Sequence, residues 1–477
     1  MSDLLNDELA VLNVGIGEFA GSVLGQGKSV VQIDWRPSGD GDAALAWQLA
    51  NLMGDKSDPE SAGARVDRAN EKATSRMLSA QPRLVGVALK AQEVWPDLDR
   101  TLLHAGAPVP WEKMCEPMQG SMIGAVLYER WAKTPEEARA LLERGKIPFE
   151  QCHDRNAVGP MSGVISRSMP LFVVKNGTHG NSAYTNFSEG IGKVLRFGAY
   201  SSDVIARLQW IAEVLAPAIK AALKNVPDGI DLKAIQSQAL LMGDEVHSRN
   251  AAATALFFMA LAPALVASDF ERAKAQEALA FIAGNSQFFL NLSMASSKAI
   301  MDAAHGVEDA SIVTAIARNG VTTAIRVSGL GKAWFEAPSD TPVGLFFPGF
   351  KQSDANPDLG DSAICETAGF GGQSLAASPA LVKLVGGSVA EAIGYSREMG
   401  HIAWTRNPTM SLPNLDFAGA PAGIDIRKVV DTGIRPVLTT GIAHKKAGLG
   451  QIGAGIVRAP MACFTQALSA LAKSLGL

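Results

Sequence analysis

The sequence predicts a mixed α/β protein of several domains, with a Rossmann-like N-terminal part, an all-helical middle domain and a C-terminal α/β domain. Strand and helix signals alternate over the first hundred residues, long helical patterns fill the middle, and strand signals with glycine-rich stretches return after His305. The 477 residues suffice for about two to four domains of ordinary size. We place the domain boundaries at 1–107, 108–202, 203–305 and 306–477.

The N-terminal part begins with two predicted strands joined by a glycine-rich turn and a short helix. Val11–Val14 leads into Gly15-Ile16-Gly17, and Val30–Ile33 ends at Asp34. A G-x-G turn after a strand, with an acidic residue about twenty positions later, is typical of dinucleotide-binding units, although the third glycine comes one place late. A strand at 84–89 is expected to extend this parallel sheet.

The middle of the chain is rich in helical patterns. Segment 108–202 mixes helices with glycine-rich loops, and Thr134-Pro135-Glu136-Glu137 is a capping box that starts a helix. Apolar residues then recur every three or four positions over 204–223, which indicates one amphipathic helix face. Further helices are predicted at 232–241, 250–266, 272–282 and 287–305.

The C-terminal part returns to strands and turns. Segments 312–317 and 321–327 flank Asn319-Gly320, the strongest short-range signal for a hairpin. Glycine-rich stretches follow at 360–372 and 441–455. The second stretch carries lysines after an apolar segment, a pattern that can hold a phosphate, although the order of a Walker A loop is absent.

Composition excludes several classes of protein. Hydrophobic residues make up 47%, charged residues 19%, and the net charge is −4, which argues against a disordered chain and against a nucleic-acid partner. The longest apolar run, 251–267, is shorter than the roughly 20 residues of a membrane span. The four cysteines are far apart, so neither a disulfide framework nor a zinc-thiolate site is expected. We therefore expect a cytoplasmic protein with no membrane partner.

Three polar clusters could carry chemistry. Gly243 to Asn250 places six functional side chains where one predicted helix ends and the next begins, and helix capping is the simpler alternative. His153 lies in a polar turn before Gly159-Pro160, where turn residues are common in any case. The loop 176–184 carries amides and hydroxyls between glycines. A metal site in 243–250 would need a further ligand from elsewhere, so no metal is predicted.

Seven stretches together resemble a known family. The match covers nearly the whole chain, and the order and spacing of its motifs resemble the large-subunit family of oxamate carbamoyltransferase, long catalogued as a domain of unknown function. One difference is that the family often carries a run of histidines where this chain has His153-Asp154-Arg155, which bears on the choice of ureido acid. The stretches are 30–37 (VVQIDWRP), 111–124 (WEKMCEPMQGSMIG), 156–163 (NAVGPMSG), 243–250, 361–372, 416–430 (DFAGAPAGIDIRKVV) and 440–455.

The resemblance implies an activity and an assembly. The family's enzyme, from anaerobic allantoin breakdown, converts oxalurate and phosphate to oxamate and carbamoyl phosphate. It implies a homo- or hetero-oligomer with two further subunits, one of them similar to a CoA-ligase subunit, and no cofactor. Two alternatives stay open: a non-catalytic scaffold subunit of such a complex, and a dinucleotide-dependent oxidoreductase that uses the turn between Gly15 and Asp34.

With this chemistry, the polar clusters acquire expected roles. We expect His153 and His247 to donate to a developing oxyanion or transfer protons, and Asp244 or Glu245 to accept a proton from an amide nitrogen. The phosphate and the substrate carboxylate are anions, for which guanidinium, amide and ammonium groups are suitable partners. The expected binding residues are Arg36, Asn156, Asn176, Asn181, Arg249, Asn250, Arg318, Asn319, Glu366, His444 and Lys445.

Overall fold

The N-terminal unit consists of two parallel strands and one helix. The computed structural model describes residues 11–33, 38–54, 57–190, 192–384 and 387–477. Val11–Val14 pairs in parallel with Val30–Ile33, and the helix Gly17–Gly25 connects them, as the sequence predicts. Among residues 11–33 only Ala20 is buried, so this unit contributes almost nothing to the protein core.

The third predicted strand joins a different sheet, so the expectation of one N-terminal parallel sheet was wrong. The strand Pro82–Ala88 pairs antiparallel with Leu171–Asn176. Leu84 and Val87 of this strand are buried, whereas the side chains of the two N-terminal strands are mostly exposed to solvent. A strand with buried side chains joins a sheet whose faces are covered by other elements, which the N-terminal strands do not offer. This sheet has the order Ile230–Asp231, Pro82–Ala88, Leu171–Asn176, Ser182–Asn186 and Ala157–Val158.

The helices predicted for the middle of the chain are confirmed within two residues at each end. The amphipathic pattern over 204–223 forms two helices joined by one π-helical turn. The segment 203–305 also contains the two-residue strand Ile230–Asp231, so this segment is not entirely helical. These elements are Ser202–Trp210, Ile211–Leu215, Ala216–Leu223, Leu232–Leu241, Ala251–Val266, Arg272–Ala283 and Phe289–Ala304.

The helix Phe289–Ala304 lies at the centre of the largest core. Every residue of it except Asp302 is buried, including several serines. It packs on the strands Leu171–Asn176 and Ser182–Asn186, so helices and sheet share one core that takes residues from Ala69 to Ala422. The helices of this segment therefore share a hydrophobic core with the adjacent sheet and do not form a separate core of their own.

The predicted hairpin is confirmed. Val313–Asn319 pairs antiparallel with Thr322–Val327, and Asn319 closes the turn by accepting hydrogen bonds from the amides of Val321 and Thr322 at 2.9 and 2.7 Å. The four-stranded sheet has the order Phe335–Pro338, Thr322–Val327, Val313–Asn319 and Leu359–Gly360.

The glycine-rich stretch 441–455 is mostly strand rather than an open loop. Val437–Ala443 pairs antiparallel with Gln451–Arg458, which leaves only a short connection between them. A Cβ on Gly455 would lie 2.6 Å from the carbonyl oxygen of Val343, so this glycine permits close packing of the neighbouring strand Val343–Phe346. The stretch is therefore not one open loop, and only residues 444–450 connect the two strands.

The remaining elements complete the layers around these sheets. A ribbon is formed by Ala403–Leu412 and Ala418–Ile424, and a small sheet has the order Phe149–Gln151, Leu102–His104 and Val164–Ile165. Within the described residues, no helix is both long and apolar enough to cross a lipid bilayer. The other α-helices are Ala43–Met53, Ala62–Ser79, Glu116–Tyr128, Pro135–Glu143, Ile364–Thr367, Pro379–Leu384, Val389–Ile402, Ile426–Thr432 and Met461–Ser474.

Candidate functional site

A strained turn lies at the centre of the polar loop 243–250. Val246 is buried with φ +61°, in the left-handed region that a β-branched residue rarely adopts and that costs about 1–3 kcal/mol. The surroundings hold this conformation: the Val246 amide donates to the carbonyl of Arg249 at 3.2 Å, and its own carbonyl accepts from Ser293 Oγ at 2.7 Å. The turn brings the flanking side chains of Glu245 and His247 to the same neighbouring hydroxyl.

That hydroxyl belongs to Thr439, in the strand Val437–Ala443. It donates to Glu245 Oε1 at 3.0 Å and lies 3.3 Å from His247 Nδ1. The Glu245 carboxylate also accepts from the amides of Ser248 and Arg249, at 2.5 and 2.8 Å. Burial raises the pKa of Glu245, while the nearby His247 and these donors oppose the rise. Glu245 thus fixes the shape of its own loop.

His247 and Glu366 form a close pair. His247 Nδ1 lies 2.7 Å from Glu366 Oε1, which also accepts from the Thr439 amide at 3.0 Å. Gly371 packs against the pair: its φ is +57°, and a Cβ there would lie 2.2 Å from Glu366 Oε1. A carboxylate on Nδ1 fixes the orientation of an imidazole, and the other ring nitrogen, Nε2, then becomes the group that can exchange protons.

His247 lines a pocket that is open to solvent. The space between its walls, with the solvent at its mouth included, is about 470 Å³. Its walls come from remote parts of the chain and include Met161, Arg196, Gln287 and Gln451. Arg196 is itself buried and provides a cationic group in the wall.

The other candidates of loop 243–250 support the turn. Asp244 is buried, accepts from the Ala253 amide at 2.9 Å and lies 3.0 Å from Arg249 Nε, so it covers the start of the helix Ala251–Val266. Burial raises the pKa of Asp244. Asn250 donates to the carbonyl of His247 at 2.5 Å. The structure therefore brings together Asp244, Glu245, His247, Arg249, Asn250 and Glu366, all expected from the sequence.

His153 lies in a separate buried cluster and does not line this pocket. Its Nε2 is 3.4 Å from Asp361 Oδ1, and its ring meets Trp334 edge-on at 5.3 Å. Burial lowers the pKa of His153, which favours a neutral ring. Asp361 accepts from the amides of Gly106 and Gly159, so the carboxylate ties together two turns. Asn156 is exposed, with φ +54°, at the end of the same turn.

The amides of the loop 176–184 hold backbone. Asn176 Oδ1 accepts from the Gln81 amide at 3.0 Å, and both Asn176 and Asn181 donate to the carbonyl of Ala299. Asn319 closes the hairpin turn. These three amides are engaged with the protein itself and do not line the pocket.

The cationic candidates of the C-terminal part also have protein partners. Arg318 is buried, pairs with Asp358 at 2.8 Å and donates to Ser362. His444 Nδ1 accepts from the Lys446 amide at 2.8 Å, and the exposed Lys445 donates to the carbonyl of Ser353. Arg36 lies outside the described residues.

Two groups of this site were not among the expected residues. Thr439 directly precedes the family-like stretch 440–455, and Arg196 follows a loop whose spacing carries no recognisable motif. The contact between Glu245 and Thr439 spans 194 positions of sequence, so no local pattern reveals it. A polar residue beside an apolar segment is the weak signal that points to Thr439.

Comparisons with known proteins show where this chain belongs. The family model for oxamate carbamoyltransferase subunit AllG matches residues 147–362. The chain is 51% identical over 415 residues to the Escherichia coli (strain K12) oxamate carbamoyltransferase subunit AllG, covering 86% of this chain and 99% of that protein. It is 44% identical over 466 residues to the uncharacterized protein YahG of the same strain, covering 98% and 97%.

A solved structure has the same fold. A conserved protein of unknown function from Enterococcus faecalis V583 is 45% identical and superposes with a TM-score of 0.84, over 87% of this chain and 99% of that chain. The stretch matched by the family model includes the loop 243–250 and Arg196, and the two curated relatives extend the likeness over most of the chain. The chain therefore belongs to the family of oxamate carbamoyltransferase subunit AllG.

Proposed function

We propose that this chain is the catalytic subunit of a carbamoyltransferase that moves a carbamoyl group between phosphate and oxamate or a related amide acid. The observation that carries the proposal is the His247–Glu366 pair, 2.7 Å apart, in the wall of an open pocket. Membership of the AllG family supports the choice of reaction, because the named relative is a subunit of oxamate carbamoyltransferase.

The chemistry requires one proton to move. In the direction of oxalurate breakdown, an oxygen of hydrogen phosphate bonds to the carbamoyl carbon, the carbon–nitrogen bond breaks, and oxamate and carbamoyl phosphate leave. The proton of hydrogen phosphate ends on the amide nitrogen of oxamate. We assign the transfer of this proton to Nε2 of His247, and general acid–base catalysis of this kind contributes about 10²- to 10⁴-fold.

The neighbours of His247 act as positioning residues. Glu366 holds the imidazole through Nδ1, and the amide of Thr439 holds Glu366. Glu245 fixes the backbone of Ser248 and Arg249 next to the histidine. A rigid arrangement of this kind keeps the proton donor within reach of a bound substrate.

We further propose that the active form is an assembly with two other subunits, one of them similar to a CoA-ligase subunit. An assembly is supported by the name of the relative AllG, which is a subunit of oxamate carbamoyltransferase. The substrates proposed are small ureido or amide acids and phosphate. The identity of the preferred acid follows from the experiment below, in which oxalurate is compared with other ureido acids.

The test compares two histidine variants in the assembled complex. His247→Gln removes the proton-transferring imidazole, and we expect carbamoyl phosphate formation from oxalurate and phosphate to fall about 100-fold or more. His104→Gln is the matched control, because His104 is also buried, its Nδ1 contacts the backbone carbonyl of Ala105 at 2.9 Å, and it does not line the pocket. Equal activity of the His247→Gln and unmodified complexes would place the chemistry in another subunit and make this chain a scaffold. No product from any ureido acid would refute the transferase assignment.

A further inference from the structure

Among the residues that the structure describes, none forms an ion pair with the buried guanidinium of Arg196. Arg196 is 5% exposed, and its one side-chain hydrogen bond within the described chain runs from Nη2 to the carbonyl of Gly190 at 3.3 Å. Its Nε is buried with no hydrogen-bond partner among the described residues. The guanidinium carbon also lies 5.1 Å from the ring centre of Phe197, a contact that does not use an N–H donor.

The nearest acid does not neutralise this group by direct contact. Glu189 is buried beside Arg196, but its two oxygens accept from the backbone amides of Leu195 at 2.6 Å and of Arg196 at 3.1 Å. The carboxylate is thus used to shape the turn, and the guanidinium itself is left with a single carbonyl. Burial lowers the pKa of Arg196, as expected for a cation taken out of water.

The other buried arginines among the described residues each form an ion pair with a carboxylate. Arg318 bonds to Asp358 at 2.8 Å, and Arg427 bonds to Asp425 at 2.8 Å. A buried charge without a partner is costly, and proteins pair such charges or use them to bind ligands. The difference between Arg196 and these two arginines points to a partner that comes from outside the chain.

The place of Arg196 indicates what that partner is. It shares the open pocket with His247, and the same walls provide the amides of Gln287 and Gln451 and the hydroxyl of Ser362. A guanidinium is a planar fork that pairs with two oxygens of a carboxylate or phosphate at once. Amides and a hydroxyl around it suit an uncharged carbonyl or amide in the same ligand.

We propose that Arg196 binds the carboxylate of the amide acid and thereby sets the specificity of the pocket for 2-oxo acids with a free carboxylate. This proposal rests on the proposed function, since it names the substrate end that the pocket holds. Phosphate offers the same oxyanion chemistry, so the experiment includes it as a separate arm.

The test measures binding to the chain purified with its partner subunits. The probes are oxamate, its neutral analogue oxamide, and inorganic phosphate, titrated by calorimetry into the unmodified protein, Arg196→Met and Arg196→Lys. We expect Arg196→Met to weaken oxamate binding about 10- to 100-fold, because a charge-assisted bidentate pair is lost, while the weaker binding of oxamide changes little. Arg196→Lys keeps the charge without the fork and is expected to restore part of the loss.

A second measurement separates binding from structure. The melting is measured at pH 5, where the buried carboxyl of Glu189, with a pKa of about 7, is protonated and does not depend on the charge of Arg196. Ligand-free Arg196→Met should then melt at the same temperature as the unmodified protein or above it, because a buried charge without an ion pair is removed. Arg167→Met, which removes an exposed arginine paired with Asp99, is the control for oxamate binding and should leave it unchanged.

Each other result has a distinct meaning. Loss of phosphate binding with unchanged oxamate binding would overturn the carboxylate assignment and give Arg196 to phosphate. Unchanged binding of both, with a lower melting temperature for Arg196→Met, would make Arg196 structural while leaving the carbamoyltransferase reading intact. Failure of the unmodified assembly to bind oxamate or to form carbamoyl phosphate would refute the proposed function and this proposal together.

Discussion

Replacing Thr439 by valine removes one hydroxyl from the centre of the site and keeps the shape of the side chain. The hydroxyl donates to the buried carboxylate of Glu245 at 3.0 Å. A hydrogen bond to a charged group contributes about 1.5–3 kcal/mol to stability. With an unfolding entropy of about 2.1 cal/mol/K for each of the 477 residues, two-state melting would shift down by roughly 1.5–3 °C.

The same strand provides a matched control. Thr440 is also buried, and its hydroxyl donates to Asp358 Oδ1 at 2.9 Å, on the side of the Arg318 pair rather than the pocket. Thr440→Val should therefore lose a similar amount of stability. Only Thr439→Val should also lower carbamoyl phosphate formation, because only that hydroxyl touches the turn that positions His247.

The two variants should differ in their dependence on pH. Burial raises the pKa of Glu245 above its value in the unfolded chain, and the Thr439 hydroxyl opposes the rise. The free energy of unfolding therefore falls as pH increases between the unfolded and folded pKa values. In Thr439→Val the folded pKa is higher still, so the destabilisation should be larger at pH 8 than at pH 5.

Urea denaturation at both pH values, combined with the coupled enzyme assay, checks this reasoning. If Thr439→Val is destabilised equally at both pH values, or more at pH 5, the Thr439 hydroxyl does not stabilise the ionised carboxylate of Glu245. Equal loss of activity in Thr439→Val and Thr440→Val would show that general destabilisation, not the site, is responsible. Thr439→Ser retains the hydroxyl and should recover most of the activity.

Three further changes test other parts of the structure. Gly371→Ala places a methyl group against the His247–Glu366 pair and should reduce turnover about 100-fold. Its control is Gly433→Ala, at a glycine that also has a left-handed φ (+69°) but open space around it, and this variant should cost only about 1–2 kcal/mol of stability. Similar turnover in both variants would contradict the packing argument. Burial raises the pKa of Glu189 to about 7, so the free energy of unfolding should fall by about 3 kcal/mol as pH rises from about 4.5 to 7. Glu189→Gln should reduce this fall when the free energy of unfolding is measured by urea denaturation at several pH values. An unchanged fall in Glu189→Gln would mean that another group causes the pH dependence. Removal of residues 1–33 should leave the melting temperature within about 1 °C, since only Ala20 of the described residues there is buried; a fall of several degrees would mean that this unit supports the core.

Local patterns predicted most of the elements and few of their partners. The helices between 203 and 305 and the hairpin at Asn319 follow from periodicity, caps and turn residues, which act over a few positions. The strand Pro82–Ala88 was also recognised, but its partner Leu171–Asn176 is distant in sequence and is selected by packing of buried faces. The sequence pattern therefore predicts that this segment is a strand, but not which sheet the strand joins.

The candidate site divides in the same way. The turn around Val246 was found because its polar side chains are adjacent in the chain, and Glu366 because its segment resembles a family motif. Arg196 could not be predicted from the sequence, because what distinguishes it is a buried Nε without a hydrogen-bond partner among the described residues. Conversely, the sequence predicted that Arg318 binds an anionic substrate, whereas in the structure Arg318 forms an ion pair with Asp358.

The assembly of the site from distant segments has a consequence for synthesis of the protein. Glu245 meets Thr439 across 194 positions, so the second partner emerges from the ribosome about 10–40 s after the first at ordinary elongation rates of roughly 5–20 residues per second. During that interval the helices around Phe289–Ala304 can pack together, but the turn at Val246 cannot form its contact with Thr439. The pocket is thus completed only in the last stage of translation, and nascent chains cannot turn over substrate before the final hairpin is made.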